Sequence, residues 1–113
     1  MTKLLDAYLQ AIEEKKEAQR LRLLSKTRAA LDTLCGQLPF TRAYIFGSVL
    51  KKKRFYYDSD IDIAVEGLKD EDFFRFMARA SDLIGREVDV VGLEKHRLRE
   101  KIMREGLLWK KRA

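Results

Sequence analysis

Three acidic residues have the spacing expected of a metal-binding site on a β-sheet. Segments 60–65 and 87–91 are short and rich in isoleucine and valine, which predicts two strands, and acidic residues alternate with the apolar ones. Alternate side chains of a strand share a face, so Asp60 and Asp62 should point away from the core. Asp89 should do the same in the later strand. If the two strands are neighbours, three carboxylates converge.

Such a convergence would be costly without a cation. Two unit charges about 4 Å apart repel by roughly 4 kcal/mol at an effective dielectric constant of about 20, a large part of the 5–15 kcal/mol that stabilises a typical domain. Mg²⁺ favours a few carboxylates together with phosphate oxygens and water. Asp60, Asp62 and Asp89 are therefore candidate magnesium ligands, and the alternative is a solvated strand face.

Gly47 and Ser48 form a second candidate element. They follow the short apolar segment 43–46, which predicts a buried strand. Glycine lets the backbone approach a ligand closely, and Ser48 is placed to cap a short helix over 49–54, whose N-terminus would suit phosphate. A Gly-Ser pair alone is not specific, and it becomes a candidate site element because Ser48 lies 12 residues before Asp60.

The remaining pattern predicts a small α/β (α+β) fold, a mixed sheet with helices packed on it. Parallel pairing is expected where a helix intervenes. We expect one domain over 1–113, with an N-terminal helical segment over 1–38 and a catalytic core over 41–109. The helical segment is either one long helix or two, and the later expected elements are a helix over 70–84, a helix over 93–105 and an edge strand over 107–109.

Two apolar stripes have helical spacing. The clearer one runs from Phe73 to Ile84, through Leu83, and Gly85 should end that helix. The other begins with Leu5, Tyr8, Leu9 and Ile12, and we expect it to pack on the sheet or on a partner helix.

Charge is unevenly distributed along the 113 residues, whose net charge is +6. Segment 1–54 has 12 basic and 5 acidic residues, 55–92 has 4 and 10, and 93–113 has 8 and 3. The basic flanks would suit nucleic acid, but the acidic middle would repel phosphate unless a metal neutralised it. The absence of a long apolar run or a secretion signal and the single Cys35 lead us to expect a cytoplasmic protein without membrane association.

The motif GSVLKKKRFYYDSDIDIAVE, followed by EVDVV, resembles the nucleotidyltransferase superfamily related to DNA polymerase beta. It is most similar to the small members called minimal nucleotidyltransferases. Their pattern is Gly-Ser, a spacer of about ten residues, Asp-x-Asp on one strand and a third Asp on a neighbouring strand. Here the spacer is eleven residues, and the closing REGLLWK also resembles the family. The resemblance covers Thr41 to Trp109.

The resemblance implies an enzyme that transfers AMP from ATP to a hydroxyl group. Gly47 and Ser48 would hold the triphosphate, and Asp60 and Asp62 would bind two Mg²⁺ ions. Asp89 would complete one metal site and draw the proton from the acceptor hydroxyl. Pyrophosphate would leave in an in-line displacement, which a two-metal site stabilises.

A protein partner is also implied, because minimal nucleotidyltransferases are commonly paired with helical HEPN proteins. In such toxin–antitoxin systems the HEPN member is a ribonuclease toxin, and the nucleotidyltransferase is an antitoxin that adenylylates one of its tyrosines. Two alternatives remain: a non-catalytic antitoxin that occludes its toxin, or nucleotidyl transfer to RNA or a small molecule. The run Lys51 to Arg54 is either an exposed helix face or a contact for triphosphate or an acidic partner.

Overall fold

A four-stranded mixed sheet forms the centre of the fold, as the sequence predicts. The computed structural model describes residues 2–52 and 60–111. Its strands are β1 (Arg42–Phe46), β2 (Ile61–Glu66), β3 (Val88–Gly92) and β4 (Leu107–Lys110). They lie in the order β3-β2-β1-β4. β1 is antiparallel to both β2 and β4, whereas β2 and β3 are parallel neighbours joined through a helix.

Two helices, α1 (Thr2–Cys35) and α2 (Phe73–Ile84), cover one face of the sheet. Alternation in the strands sends their apolar side chains to this covered face, where they meet the buried residues of both helices. The cluster includes Leu31, Leu34, Ile45, Ile61, Ile63, Val65, Phe76 and Val88. α2 ends at Gly85, which has a left-handed backbone (φ 74°), as expected for a helix C-terminus.

The opposite face, here called the open face, carries a smaller cluster of Tyr44, Ala64, Leu93 and Ile102. Ile102 belongs to α3 (Arg99–Glu105), a short helix that packs on this face. Asp62 shares the face with Ala64, two residues away, and is half-buried there.

The N-terminal segment is one continuous helix, and its first half lies outside the core. Its buried residues, Thr27, Ala30, Leu31 and Leu34, all lie in the second half. Of the two alternatives predicted for the first stripe, packing on the sheet is wrong, because Leu5, Tyr8 and Leu9 are 57%, 65% and 50% exposed. Packing on a partner helix stays a prediction. The helices within the described residues include none with the length and apolar character needed to span a membrane.

Four predicted helical details differ from the structure. Residues 70–72 form a 3-10 turn, so α2 begins at Phe73 and not at residue 70. Residues 93–98 form turns, in which the Leu98 N–H donates to His96 Nδ1 at 3.0 Å, so the helix begins only at Arg99. Leu83 is 38% exposed and does not join the core. The segment after Gly47 is a 3-10 turn, Ser48–Leu50, and Lys51 already has an extended backbone. Residues 53–54 of the predicted helix lie outside the described residues.

Candidate active site

Two of the three predicted acidic residues are direct neighbours in the sheet. Asp62 of β2 is paired with Asp89 of the parallel strand β3 and with Phe46 of β1. Asp60 lies immediately before β2 and is exposed, as Asp89 is. The parallel register of β2 and β3 therefore places Asp62 between the end of β1 on one side and Asp89 on the other.

The electrostatics of Asp62 show that the three carboxylates act on one another. Burial on the open face raises its pKa, and the negative charges of Asp89 and then Asp60 raise it further, from 3.8 to about 6. An ionised Asp62 is therefore disfavoured by lost hydration and by repulsion together. A cation held between these side chains would relieve both effects.

The donor set fits magnesium through two carboxylates rather than three. Within residues 2–52 and 60–111, no group of three or more His, Cys, Asp or Glu side chains is close enough together to hold a metal ion. Mg²⁺ is usually bound by one or two carboxylates, with substrate phosphates and water completing its coordination. The neighbouring carboxylates of Asp62 and Asp89 match this coordination preference, and Asp60 adds negative charge nearby.

Gly47 is required by its backbone and by its neighbour. Its φ of 86° favours glycine, and a Cβ atom added there would overlap Asp62 Oδ2. The sequence suggested that this glycine admits a ligand, and in the structure it also makes room for the Asp62 carboxylate. The turn that begins at Gly47 is therefore in contact with the Asp62 carboxylate.

Ser48 does not have the capping role predicted for it. Gly47 occupies the N-cap position of the 3-10 turn, and no side-chain cap hydrogen bond is formed. The turn is closed by Leu50 N–H donating to Gly47 O (3.2 Å) and Lys51 N–H donating to Ser48 O (3.0 Å). In the described part of the chain, the N–H groups of Ser48 and Val49 donate to no protein acceptor. They are free to bind an anion.

Two cavities flank the carboxylate pair. One, of about 400 Å³, lies beside the end of β1 and is lined by Phe46, Gly47, Leu50, Lys51, Leu98, Lys101, Ile102, Glu105 and Gly106. The other, of about 430 Å³, lies between β3 and α2 and is lined by Asp60, Phe74, Met77, Ala78, Ser81, Glu87, Val88 and Asp89. Because Asp62 is paired with Phe46 on one side and Asp89 on the other, it lies between the two cavities.

Comparisons with known proteins decide the family. Residues 32–112 match the family described as "Polymerase beta, Nucleotidyltransferase". The chain belongs to this nucleotidyltransferase family. A solved structure described as a "putative minimal nucleotidyltransferase" is 32% identical, covering 84% of this chain and 93% of its own, with a TM-score of 0.55. Among curated proteins, no significant match is found.

Membership of the nucleotidyltransferase family makes nucleotidyl transfer the chemistry of this fold, and the matched range contains all five predicted site residues. Sequence reasoning missed Arg20, whose side chain reaches the Gly47–Leu50 turn from α1. Its hydrogen-bond acceptor is a backbone carbonyl 29 residues away, and no residue pattern signals such a contact. Sequence reasoning also missed the cavity beside β1, because Leu98 and Ile102 were assigned to a helix without a position relative to Gly47.

Proposed function

We propose that this nucleotidyltransferase transfers AMP from ATP to a hydroxyl group in a Mg²⁺-dependent reaction. The observation that carries the proposal is the pairing of Asp62 with Asp89 directly beside Gly47. An anionic triphosphate and the cation that accompanies it need these two features together: backbone N–H groups for phosphate oxygens and carboxylates for the cation.

Each residue has a role in the proposed reaction. The Ser48 and Val49 N–H groups donate to phosphate oxygens, Asp62 and Asp89 would hold magnesium, and Asp60 adds negative charge beside them. Asp89, also a ligand, accepts the proton from the acceptor hydroxyl. The hydroxyl oxygen forms a bond to the α-phosphorus, the bond from that phosphorus to the bridging oxygen breaks, and pyrophosphate leaves. Bound magnesium would offset negative charge on the attacking and leaving oxygens.

The two cavities suit the two substrates. The cavity next to Gly47 has apolar walls from Phe46, Leu50 and Ile102, which would accommodate a nucleoside whose phosphates lie on the turn. The cavity next to Asp89 also has an apolar wall, from Phe74 and Met77, and would receive the acceptor. An acceptor bound there would have its hydroxyl on the side of the residue proposed to take the proton.

For the acceptor, we propose a tyrosine of a HEPN ribonuclease toxin, which makes this chain a cytoplasmic antitoxin. The exposed Leu5, Tyr8 and Leu9 of α1 support a protein partner, because a contiguous apolar stripe is unusual on a surface that has no partner. An aromatic side chain would also complement Phe74, which lines the cavity beside Asp89 and is 81% exposed.

The test is transfer in a purified complex. The chain is co-expressed with a HEPN protein, incubated with Mg²⁺ and each nucleoside triphosphate in turn, and both proteins are weighed by intact mass spectrometry. We expect an added AMP on a HEPN tyrosine with ATP and none after EDTA treatment. Failure of every triphosphate to bind or react, with the HEPN protein, RNA or small alcohols as acceptors, would contradict catalysis. Neutralisation of the toxin without any adduct would favour the occluding antitoxin.

A further inference from the structure

A side chain of the N-terminal helix is tied to the turn proposed to bind phosphate. Arg20 Nη1 donates to the Val49 carbonyl oxygen at 3.0 Å. The other side of the guanidinium donates to Glu17, from Nε at 2.9 Å and from Nη2 at 2.5 Å. The Arg20 side chain is only 12% exposed, although it lies beyond the buried half of α1.

The geometry differs from that of an ordinary surface ion pair, which contributes little to stability. Glu17 binds two nitrogens of the guanidinium at once, and this forked contact fixes the plane of the group. The hydrogen bond from Arg20 also lowers the pKa of Glu17. With its plane fixed, the guanidinium can aim its remaining Nη1 group at Val49.

The turn has few other restraints. It is a single 3-10 turn, in which hydrogen-bond geometry is poorer than in an α-helix. Val49 is fully buried, so its side chain is anchored in the core. Among described residues, however, Arg20 is the donor found for its carbonyl oxygen. Arg20 therefore fixes the orientation of the peptide unit that follows Val49.

We propose that Arg20 is a positioning residue, which holds the Gly47–Leu50 turn in the shape that binds nucleotide phosphates. The assignment rests on the proposed function, in which the Ser48 and Val49 N–H groups receive phosphate. Donors that are already oriented before the ligand arrives lose less conformational entropy on binding. Without Arg20, the Val49 carbonyl loses its donor and the neighbouring N–H groups lose their fixed direction.

The first measurement is amide hydrogen exchange by NMR in the ligand-free protein. In Arg20→Ala, the Leu50 and Lys51 N–H groups, which close the turn, should exchange about tenfold faster, the size expected for one charge-assisted hydrogen bond. In Arg20→Lys, the exchange rates of these two amides should lie between those of the parent and of Arg20→Ala, because lysine can reach the Val49 carbonyl but cannot make the forked contact with Glu17. Arg22→Ala, an exposed arginine of the same helix, is the matched control and should leave both amides unchanged.

The second measurement is ATP use with Mg²⁺. Arg20→Ala should raise KM for ATP about tenfold with a smaller change in kcat, and Arg20→Lys should restore part of the loss. Unchanged exchange at Leu50 and Lys51 in Arg20→Ala would overturn the proposal, as would equally faster exchange throughout Thr27–Leu34, which would indicate only a loosened helix. If the parent protein neither binds nor uses ATP, the proposed function fails, while the exchange experiment still decides whether Arg20 positions the turn.

Discussion

Asp62 is the most constrained residue of the candidate site. Asp62 is paired with Phe46 of β1 and with Asp89 of β3. Its Oδ2 lies so close to Gly47 that a Cβ atom added at Gly47 would overlap it. Its carboxylate is half-buried and repelled by the charges of Asp89 and Asp60. Such a group disfavours folding in the absence of a cation, and residues of this kind concentrate at functional sites.

Asp62→Asn should abolish AMP transfer, with a loss of about a hundredfold or more in kcat/KM. Asparagine preserves the size of the side chain and removes the charge that would hold magnesium. Asp82→Asn, on the exposed side of α2, is the matched control and should retain full activity. Activity is measured as ATP-dependent adduct formation, and an Asp62→Asn variant as active as the parent protein would refute the metal-ligand role.

Asp62 should also make stability depend on pH when no metal is added. Its folded-state pKa of about 6 lies above its ordinary value of 3.8, so the folded protein binds the extra proton and stability falls as pH rises between these values. Above pH 6, Asp62→Asn should be more stable than the parent by about 1–2 kcal/mol after allowance for solvent screening. At pH 4 the advantage should nearly vanish. Urea unfolding with EDTA present measures the difference, and a constant difference across this range would contradict the assignment.

Gly47→Ala should damage the protein in two ways. The added Cβ would overlap Asp62 Oδ2, and alanine is strained at a φ of 86°. Gly85→Ala is the comparison for a positive φ without overlap, because nothing lies within 4 Å of its added Cβ, although its left-handed backbone (φ 74°, ψ 28°) is less strained for alanine than that of Gly47 (φ 86°, ψ −157°). Gly85→Ala should cost about 1 kcal/mol and keep its activity, whereas Gly47→Ala should cost about 2–3 kcal/mol and lose ATP use. Thermal melting and adduct formation measure the two effects, and a Gly47→Ala variant as stable and as active as Gly85→Ala would contradict the prediction.

At the level of elements, the strands that carry the site could be predicted from periodicity. Val88 and Val90 alternate with Asp89, and the same pattern in β2 determines which side chains reach the core. The helix between the two strands made parallel pairing the expected geometry, and their register then places Asp62 opposite Asp89. The side chains of Asp62 and Asp89 therefore share the open face of the sheet, because the alternating apolar residues of both strands occupy the covered face.

Short-range sequence rules failed at three residues, and only at Arg20 is the missing information a long-range contact. Ser48 matches the preference for a helix cap, but the segment turns too tightly for a helix and Gly47 takes that position. His96 lies in a charged segment that suits a helix, yet its ring accepts the Leu98 N–H and the segment forms turns. Arg20 looks like one charge among many until its contact with Val49 is known.

The edge strand β4 is tied to α1 through one hydrogen bond, which Trp109→Phe would remove. Trp109 Nε1 donates to Asp32 Oδ1 at 2.8 Å, and its buried ring packs against Phe40 with ring centres 5.0 Å apart. We expect a loss of about 1–3 kcal/mol in unfolding free energy, from the hydrogen bond and the smaller ring. Asp32→Asn keeps an acceptor oxygen and should cost less.

β4 lies next to β1, on the side away from β2, so the carboxylate pair should not move. ATP use by Trp109→Phe, measured below its melting temperature, should therefore equal that of the parent. A large loss of activity without loss of stability would show that β4 contributes to the site.

In the whole molecule, the stabilising core and the exposed apolar surface are separated along α1. The second half of the helix is buried against α2 and the sheet, and Arg20 donates from it to the Gly47–Leu50 turn. The first half presents Leu5, Tyr8 and Leu9 to solvent. Since that half adds little to the core, its apolar residues are better explained by binding than by folding.

Replacing Leu5 and Leu9 by glutamine should therefore leave the melting temperature within about 2 °C of the parent, because exposed positions contribute little to stability. Binding of the proposed HEPN partner should weaken at least about tenfold, since two apolar side chains of an interface are worth more than 1.4 kcal/mol together. Leu83→Gln, a 38% exposed leucine on α2, is the control and should bind normally. Calorimetric titration of the purified proteins measures the affinity. Unchanged binding by the double variant would place the partner elsewhere, whereas a fall in melting temperature would mean that the stripe packs within the protein itself.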